Sequence, residues 1–416
     1  MKHAFFDDMM KMEHTDHTKE GPFMNIKCKN CGGILEFDPE LQKMVCSHCL
    51  SMFPVAETEK KHTTVFDSSH FSQENNVADE LMDVDIYTCE SCGAELIIND
   101  VELASYCVYC GQPSIVFSRT EKRLRPQYII PFKISKNQAG TAIREKFVKS
   151  EYLDKNDKFF APELLRGIYI PYGMFCFHAK DEAYIKGVPY MVNKKQNHFP
   201  QYYYRKVFAR IGHIPVDASF HFPNRSADKL EPFSDQDLTE FDSGFLSGYY
   251  ADLRDEDFNL LRSRAVSRAK KILTSRLLSI PMVEHPVLIK DNPQIKCVKE
   301  IYALLPVWFM VIEHKGEKYT IMVNGQTGKV VGTLPVSYKK IAFFFIMSFI
   351  ACFLMISTLS LIAAFTGYFQ IAFLAYALGS PLLLYEGIKK IRKYRRDKQL
   401  STSETIKNFV KERQEY

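Results

Sequence analysis

From Ile341 to Tyr385 the 416-residue sequence contains no Asp, Glu, Lys or Arg. One membrane helix needs about 20 residues, so a charge-free run of this length fits two and excludes an ordinary water-facing segment. The first 27 residues lack the apolar core of a signal peptide, because Asp7, Asp8, Glu13 and Asp16 interrupt it. A nucleotide-binding loop is also missing. In Gly325-Gln326-Thr327-Gly328-Lys329 the glycines stand too close together, and Val330 replaces the hydroxyl residue that such a loop needs. The segment reads instead as strand, turn, strand. No His-Glu-x-x-His pair occurs. The formal charge of +5 is modest for this length and does not mark a nucleic-acid binder.

Cysteine is the residue that is present in quantity and in order. Of eleven cysteines, eight form two blocks, Cys28-x2-Cys31…Cys46-x2-Cys49 and Cys89-x2-Cys92…Cys107-x2-Cys110. Each block has fourteen residues between its pairs, and the second begins 61 residues after the first. Cys176, Cys297 and Cys352 are isolated. Paired Cys-x2-Cys at matched spacing points to metal sites in a reducing compartment rather than to a disulfide framework. Zinc takes four soft ligands in a tetrahedron, and two knuckles joined by a short β-hairpin supply them. The expectation is two zinc ribbons, one zinc ion each. Gly32, Gly93 and Gly111 follow the second cysteine of three knuckles, where the chain must turn with positive φ; Leu50 holds that place in the fourth.

Around these blocks the chain divides into a poorly ordered N-terminus (1–24, with Met24 an alternative start), ribbon 1 (25–53), a polar linker (54–85), ribbon 2 (86–120), a mixed α+β cytosolic domain (124–335), a two-helix transmembrane hairpin (341–386) and a basic cytosolic tail (387–416). Within the α+β domain, 127–135 predicts a strand and 137–153 a helix. Residues 167–192 predict a hairpin or meander, and 202–220 at least one strand. The clearest soluble helix is 256–278, with Phe258, Leu261, Ala265, Ile272 and Leu273 near one face. Residues 302–332 predict a hairpin and a third strand, turned at Lys315-Gly316 and Asn324-Gly325. Pro171 and Tyr184 match Pro306 and Tyr319 in spacing, which suggests a duplicated unit.

The membrane helices are expected at about 341–364 and 369–386, joined near Gly367, with a kink at Gly379-Ser380-Pro381. Lys339 and Lys340 precede them and the basic run 389–398 follows, so both flanks and both termini are expected in the cytoplasm. That run also suits a grip on anionic lipid. Ser401-x-x-Glu404 is a capping-box pattern for a short terminal helix.

Charge weighs against phosphate binding by the ribbons. Ribbon 1 balances Lys27, Lys29 and Lys43 against Glu36, Asp38 and Glu40. Ribbon 2 has Glu90, Glu95, Asp100 and Glu102 and no Lys or Arg between Ile86 and Ser118. His213, Asp217, Ser219 and His221 share one strand face, but nucleophile, base and orienter usually come from separate elements, so they do not predict a triad. No catalytic residue emerges.

The order of these motifs, with "LRPQYIIPFKISKNQA", "GIYIPYGMF", "IPVDAS", "LPVWFMV" and "VNGQTGKVVGTLP", resembles bacterial double zinc-ribbon membrane proteins. These are also labelled TFIIB-type zinc-ribbon or helicase-like, and some are similar to proteins encoded beside phage-shock-protein-A genes. The resemblance implies a membrane-envelope accessory protein that recruits stress proteins. The leading expectation is a non-enzymatic adaptor docking a cytosolic, phage-shock-type protein at the bilayer. The alternatives are a membrane-tethered nucleic-acid-binding regulator and an enzyme acting on lipid or peptide.

Overall fold

The computed structural model describes residues 26–55, 80–98, 106–148, 162–189, 199–222, 224–279, 283–314, 317–332, 337–366, 388–392 and 395. The expected N-terminal segment, most of the linker, the second membrane helix and the capping box at 401–404 lie outside them.

Ribbon 1 is a three-stranded antiparallel sheet of β1 (Leu35–Asp38), β2 (Lys43–Cys46) and β3 (Met52–Phe53). Asp38 closes its hairpin, accepting from the N–H groups of Glu40 and Leu41 at 2.8 and 2.9 Å. Ribbon 2 is different. Its strands β4 (Leu81–Cys89), β5 (Glu95–Ile98) and β6 (Ile115–Leu124) belong to the large sheet that forms the body. β4 starts inside the expected linker because its pairing with β6 continues to Leu81 opposite Leu124.

The rest of the body runs β7 (Tyr128–Ile129), α1 (Lys136–Val148), β8 (Arg166–Pro189), β9 (Gln201–Asp217), α2 (Asn224–Leu230), β10 (Thr239–Glu240), β11 (Tyr250–Asp252), α3 (Phe258–Ser279), β12 (Val283–Lys290), β13 (Gln294–His314), β14 (Glu317–Asn324) and β15 (Val330–Gly332). The 12-stranded sheet has the path β10-β7-β13-β8-β11-β5-β4-β6, with β9 and β12 also on β8 and β14 and β15 beyond β13. Mixed α/β architecture with two four-cysteine clusters is thus present.

β8 corrects the expected hairpin at 167–192: it is one strand of 24 residues. Its first half, "IYIPYGMFCF", is apolar on both faces and buried on both, while from His178 onward exposed and buried residues alternate. No turn pair interrupts that period of two. The suggested duplication fails for the same reason, since Pro171 and Tyr184 share β8, whereas the chain turns between Pro306 on β13 and Tyr319 on β14. The expected strand at 127–135 shrinks to Tyr128–Ile129. Pro131 offers no N–H, and the N–H groups of Lys133 and Ile134 both donate to the Gly325 carbonyl.

α3 buries Leu261, Ala265, Ala269, Leu273 and Leu277, a stripe with a step of four, against β8, β9 and β13. Ile272, expected in that stripe, is 36% exposed. α1 is described from Lys136 to Val148, and the remainder of the expected helix, 149–153, lies outside the described residues. The turn at Asn324 is as expected: Asn324 Oδ1 accepts from the N–H groups of Gln326 and Thr327 at 2.9 Å each.

α4 (Tyr338–Thr366) is a 29-residue helix. Counting the described side chains alone, no helix is long and apolar enough to cross a membrane. Several α4 side chains fall outside that set, and 369–386 lies outside it entirely. Of the region 341–386, where a two-helix transmembrane hairpin is expected, the described residues include only α4 as far as Thr366.

Candidate metal centres

Each Cys-x2-Cys pair is folded by the same two backbone hydrogen bonds. The residue after the second cysteine donates to the carbonyl of the first: Gly32 to Cys28 at 2.8 Å, Leu50 to Cys46 at 3.0 Å, Gly93 to Cys89 at 2.7 Å and Gly111 to Cys107 at 2.8 Å. The first cysteine's own N–H donates to the carbonyl five residues on: Gly33, Ser51, Ala94 and Gln112 accept. That closure needs a left-handed residue. Gly32, Gly93 and Gly111 have φ of 73°, 72° and 71°, and Leu50 adopts 60° without glycine's freedom. A non-glycine residue there costs about 1–2 kcal/mol. Leu50→Gly is therefore expected to stabilise ribbon 1 by about 0.5–1 kcal/mol, reduced by the greater freedom glycine gives the unfolded chain. Slower loss of metal from ribbon 1 to a chelator is the readout; unchanged or faster loss would count against it.

The knuckles bring four sulfurs together in each ribbon. Cys28 and Cys49 Sγ lie 3.6 Å apart and Cys31 and Cys46 Sγ 3.5 Å apart. In ribbon 2, Cys89 and Cys110 are 3.6 Å apart and Cys92 and Cys107 3.7 Å. A tetrahedral zinc with Zn–S of about 2.3 Å requires sulfurs about 3.8 Å apart, whereas a disulfide requires about 2.05 Å. Within each set all ligand atoms lie within 4.8 Å of one another. The two sets could hold two zinc ions. Ser51 Oγ is 3.2 Å from Cys49 Sγ and Ser114 Oγ 3.3 Å from Cys89 Sγ. The Ser51 hydroxyl, and then its backbone, bring the Cys49 thiol down to about 6. Cys110 is lowered by its neighbours Cys107 and Cys92. Their neighbours Cys31, Cys92 and Cys107 are pushed up instead, so without metal the thiolate, the form that ligates metal, is favoured only at Cys49 and Cys110. Cys176 and Cys297 stand apart from both sets, and burial raises their thiols to about 11 and about 12.

The ribbons are attached to the body in different ways. Ribbon 1 docks on it: Leu35, Phe37 and Met44 are in one core cluster with Phe132, Tyr249 and Trp308. Phe37 packs edge-on to Phe245 at 5.1 Å, its N–H donates to the Ser247 carbonyl at 3.1 Å, and Gln42 Nε2 donates to the Phe132 carbonyl at 2.7 Å. Burying each of these apolar side chains contributes about 1.5–3 kcal/mol, enough to hold the ribbon in place. Ribbon 2 is continuous with the sheet, β5 pairing with both β4 and β11.

Tyr109, inside the last knuckle of ribbon 2, donates its hydroxyl to Asp252 Oδ2 on β11. Ser219 Oγ donates to the same oxygen at 2.5 Å, and the Leu253 N–H donates to Oδ1 at 2.9 Å. Burial raises the Asp252 carboxyl to about 7 against the pull of these donors. Beside it, His221 Nδ1 lies 3.2 Å from Asp255 Oδ2, and His221 stacks on Tyr109. Donors from Tyr109, Ser219 and Leu253 already engage both Asp252 oxygens. His221, Asp252 and Asp255 are therefore a hydrogen-bond network tying ribbon 2 to β11, in which a metal ion would have to displace existing donors.

Of the polar residues of 213–221, expected on one strand face, Ser219 and His221 join the Asp252–Asp255 network, while His213 and Asp217 find partners elsewhere. His213 meets Asp235 at 3.0 Å, Ser219 meets Asp252, His221 meets Asp255, and Asp217 meets Arg264 at 2.6 Å. They form no triad. Sequence reasoning missed Tyr109 and Asp252 as a linkage, since 143 residues separate them.

No protein-family model matches the chain, and no solved structure matches it. The chain is similar to a Bacillus subtilis (strain 168) protein described as "Uncharacterized protein YdjG": 30% identical over 334 residues, covering 77% of this chain and 93% of that one.

Proposed function

This chain belongs to the family of the Bacillus subtilis protein YdjG, and on that footing we propose a non-enzymatic scaffold, a zinc-stapled body that the C-terminal hairpin ties to the membrane and that docks a cytosolic protein. The family of double zinc-ribbon membrane proteins that the motifs resemble supplies envelope stress as the setting. The observation that carries the reading is the closure of both cysteine sets. Four sulfurs fill four tetrahedral positions and leave none for water or substrate, so a bound zinc would fix structure and would not polarise a reactant.

The two modes of attachment divide the labour. Ribbon 2, built into the sheet, is the staple. Ribbon 1 stands on the surface with Leu41, Leu50 and Met52 exposed to 46%, 71% and 53%, and we assign the docking face to it. Membrane attachment is supported by the charge-free run 341–385, by its basic flanks, and by the exposure of Phe343, Phe349, Phe353 and Phe365 on α4, which lipid would cover.

Deleting residues 86–118 is not a usable test, since it removes strands of the body sheet. The better variant is Met52→Glu in the full chain, crosslinked in intact cells and recovered from carbonate-washed membranes. The expected result is loss of at least one crosslinked cytosolic protein, with the chain still in the membrane fraction and its zinc content unchanged. An identical partner set would remove ribbon 1 as the docking face, and extraction of the chain by carbonate would remove the anchor.

A further inference from the structure

The second half of β8, with β9 on one side and β12 and then the start of β13 on the other, forms a wing built from four strands and three strands wide. α3 covers one of its faces, through Ala179, Ala183, Ile185, Leu273 and Leu277. The other face is open. Because strand side chains alternate, that open face collects one kind of residue from several distant segments. Tyr184, Tyr202, Tyr204 and Phe208 lie on it, exposed to between 46% and 66%. Tyr202 and Tyr204 are two residues apart on one strand, about 7 Å. Tyr184 pairs across to Tyr204 with ring centroids 5.1 Å apart.

Among the rings stand Lys180, Lys186, Lys206 and Lys290, with Arg210 and Lys296 just beyond Phe208, against the carboxylates of Glu182 and Glu284. Lys180 lies 5.5 Å over the Phe208 ring and Lys186 5.8 Å over that of Tyr202. Glu182 is held by Lys206 at 2.7 Å, which leaves the balance of the face cationic.

We propose that this open face binds single-stranded nucleic acid, its tyrosines and Phe208 stacking bases and its lysines and Arg210 meeting phosphates. Both demands of such a ligand are met at once: exposed aromatic side chains, Tyr202 and Tyr204 about 7 Å apart, and cations close to the rings. An acidic peptide would use the cations and leave the rings idle. A bilayer surface is disfavoured by distance. α4 follows β15, whose register through β14 and β13 falls opposite Arg166 and Gly167 of β8. Tyr184 is seventeen residues beyond Gly167 along that strand, roughly 55 Å of chain. The ribbons, neutral and acidic, take no part. The proposal goes beyond the scaffold reading and does not depend on it.

The test uses the full chain in detergent with a fluorescently labelled twenty-nucleotide oligo-dT and its oligo-rU counterpart, read by anisotropy. Wild-type protein is expected to bind at least one of them, more weakly as salt rises. The double variant Tyr202→Ala/Tyr204→Ala is expected to bind at least tenfold more weakly, with zinc content and circular dichroism unchanged because both side chains face solvent. The variant Lys206→Glu/Arg210→Glu is expected to weaken binding and flatten its salt dependence. The basic run at 389–398 contributes equally to every variant, so the differences report on the wing alone. Failure of the wild type to bind, or equal binding by the tyrosine variant, would overturn the proposal. So would tyrosine-dependent binding to phosphatidylglycerol vesicles with no affinity for either oligonucleotide.

Discussion

Cys92→Ser is expected to cost the protein far more than Cys31→Ser, although the two cysteines hold equivalent places in their ribbons. Either change removes one sulfur and one closed site. Metal binding in small zinc domains contributes about 10–16 kcal/mol of apparent free energy, against a typical domain stability of about 5–15 kcal/mol. What differs is the structure that each site supports. Cys92 closes the turn between β4 and β5, and β5 carries the sheet onward to β11 and, through it, to β8. Loss of that turn removes an interior part of the body. Cys31 closes a knuckle of a docked three-stranded module whose removal leaves the 12-stranded sheet paired as before. In calorimetry or thermal circular dichroism of the full chain, Cys31→Ser should retain a cooperative body transition lowered by several degrees. Cys92→Ser should lose most of that transition or yield insoluble protein, while ribbon 1 keeps its metal. Equal effects would mean that ribbon 2 is not the structural staple.

Arg264→Met is expected to destabilise the body by about 3–5 kcal/mol, the cost of stranding a buried charge. Arg264 donates to Asp217 Oδ1 at 2.6 Å and to Glu256 Oε2 at 2.7 Å, joining α3 to the end of β9. Asp217 is 1% exposed, and burial already raises its carboxyl to about 6 with the guanidinium in place. Removing the cation raises it further. A carboxyl whose folded-state value lies above its unfolded value holds its proton more tightly in the fold. Its contribution to stability is then lost as pH rises through that range. The deficit of the variant should therefore be larger at pH 8 than at pH 5. Asp217→Asn in the same background should recover part of it at pH 8. A pH-independent deficit would place the cost in packing by the arginine stem.

The cysteine framework was legible because metal chemistry fixes local spacing: a knuckle is six residues long, and its closing φ selects glycine wherever it can. Leu50 was visible as the exception, and the structure places it in the same left-handed conformation. Attachment was not legible. Ribbon 2 joins the body through β11, some 150 residues away in sequence, and no local pattern announces that pairing. The same limit hid the Tyr109–Asp252 linkage. β8 was misread because its aromatic-rich first half resembles a hairpin arm. The feature that separates a strand of 24 residues from two short ones is the missing turn at 178–183. In α3 a stripe stepping by four includes Ala269 and Leu277, and Ile272 falls beside it; apolarity alone drew it in. The open face of the wing is spread over four strands. It becomes a surface only when the register of β8 with β9 and with β12 and β13 is known.

The most direct measurement of the central claim is the metal content of the full-length, reduced protein by inductively coupled plasma mass spectrometry, paired with counts from Cys31→Ser and Cys92→Ser. Two complete four-cysteine sets predict two zinc ions per chain in the wild type and one in any soluble ligand variant. One ion or none in undamaged wild-type protein would contradict the account.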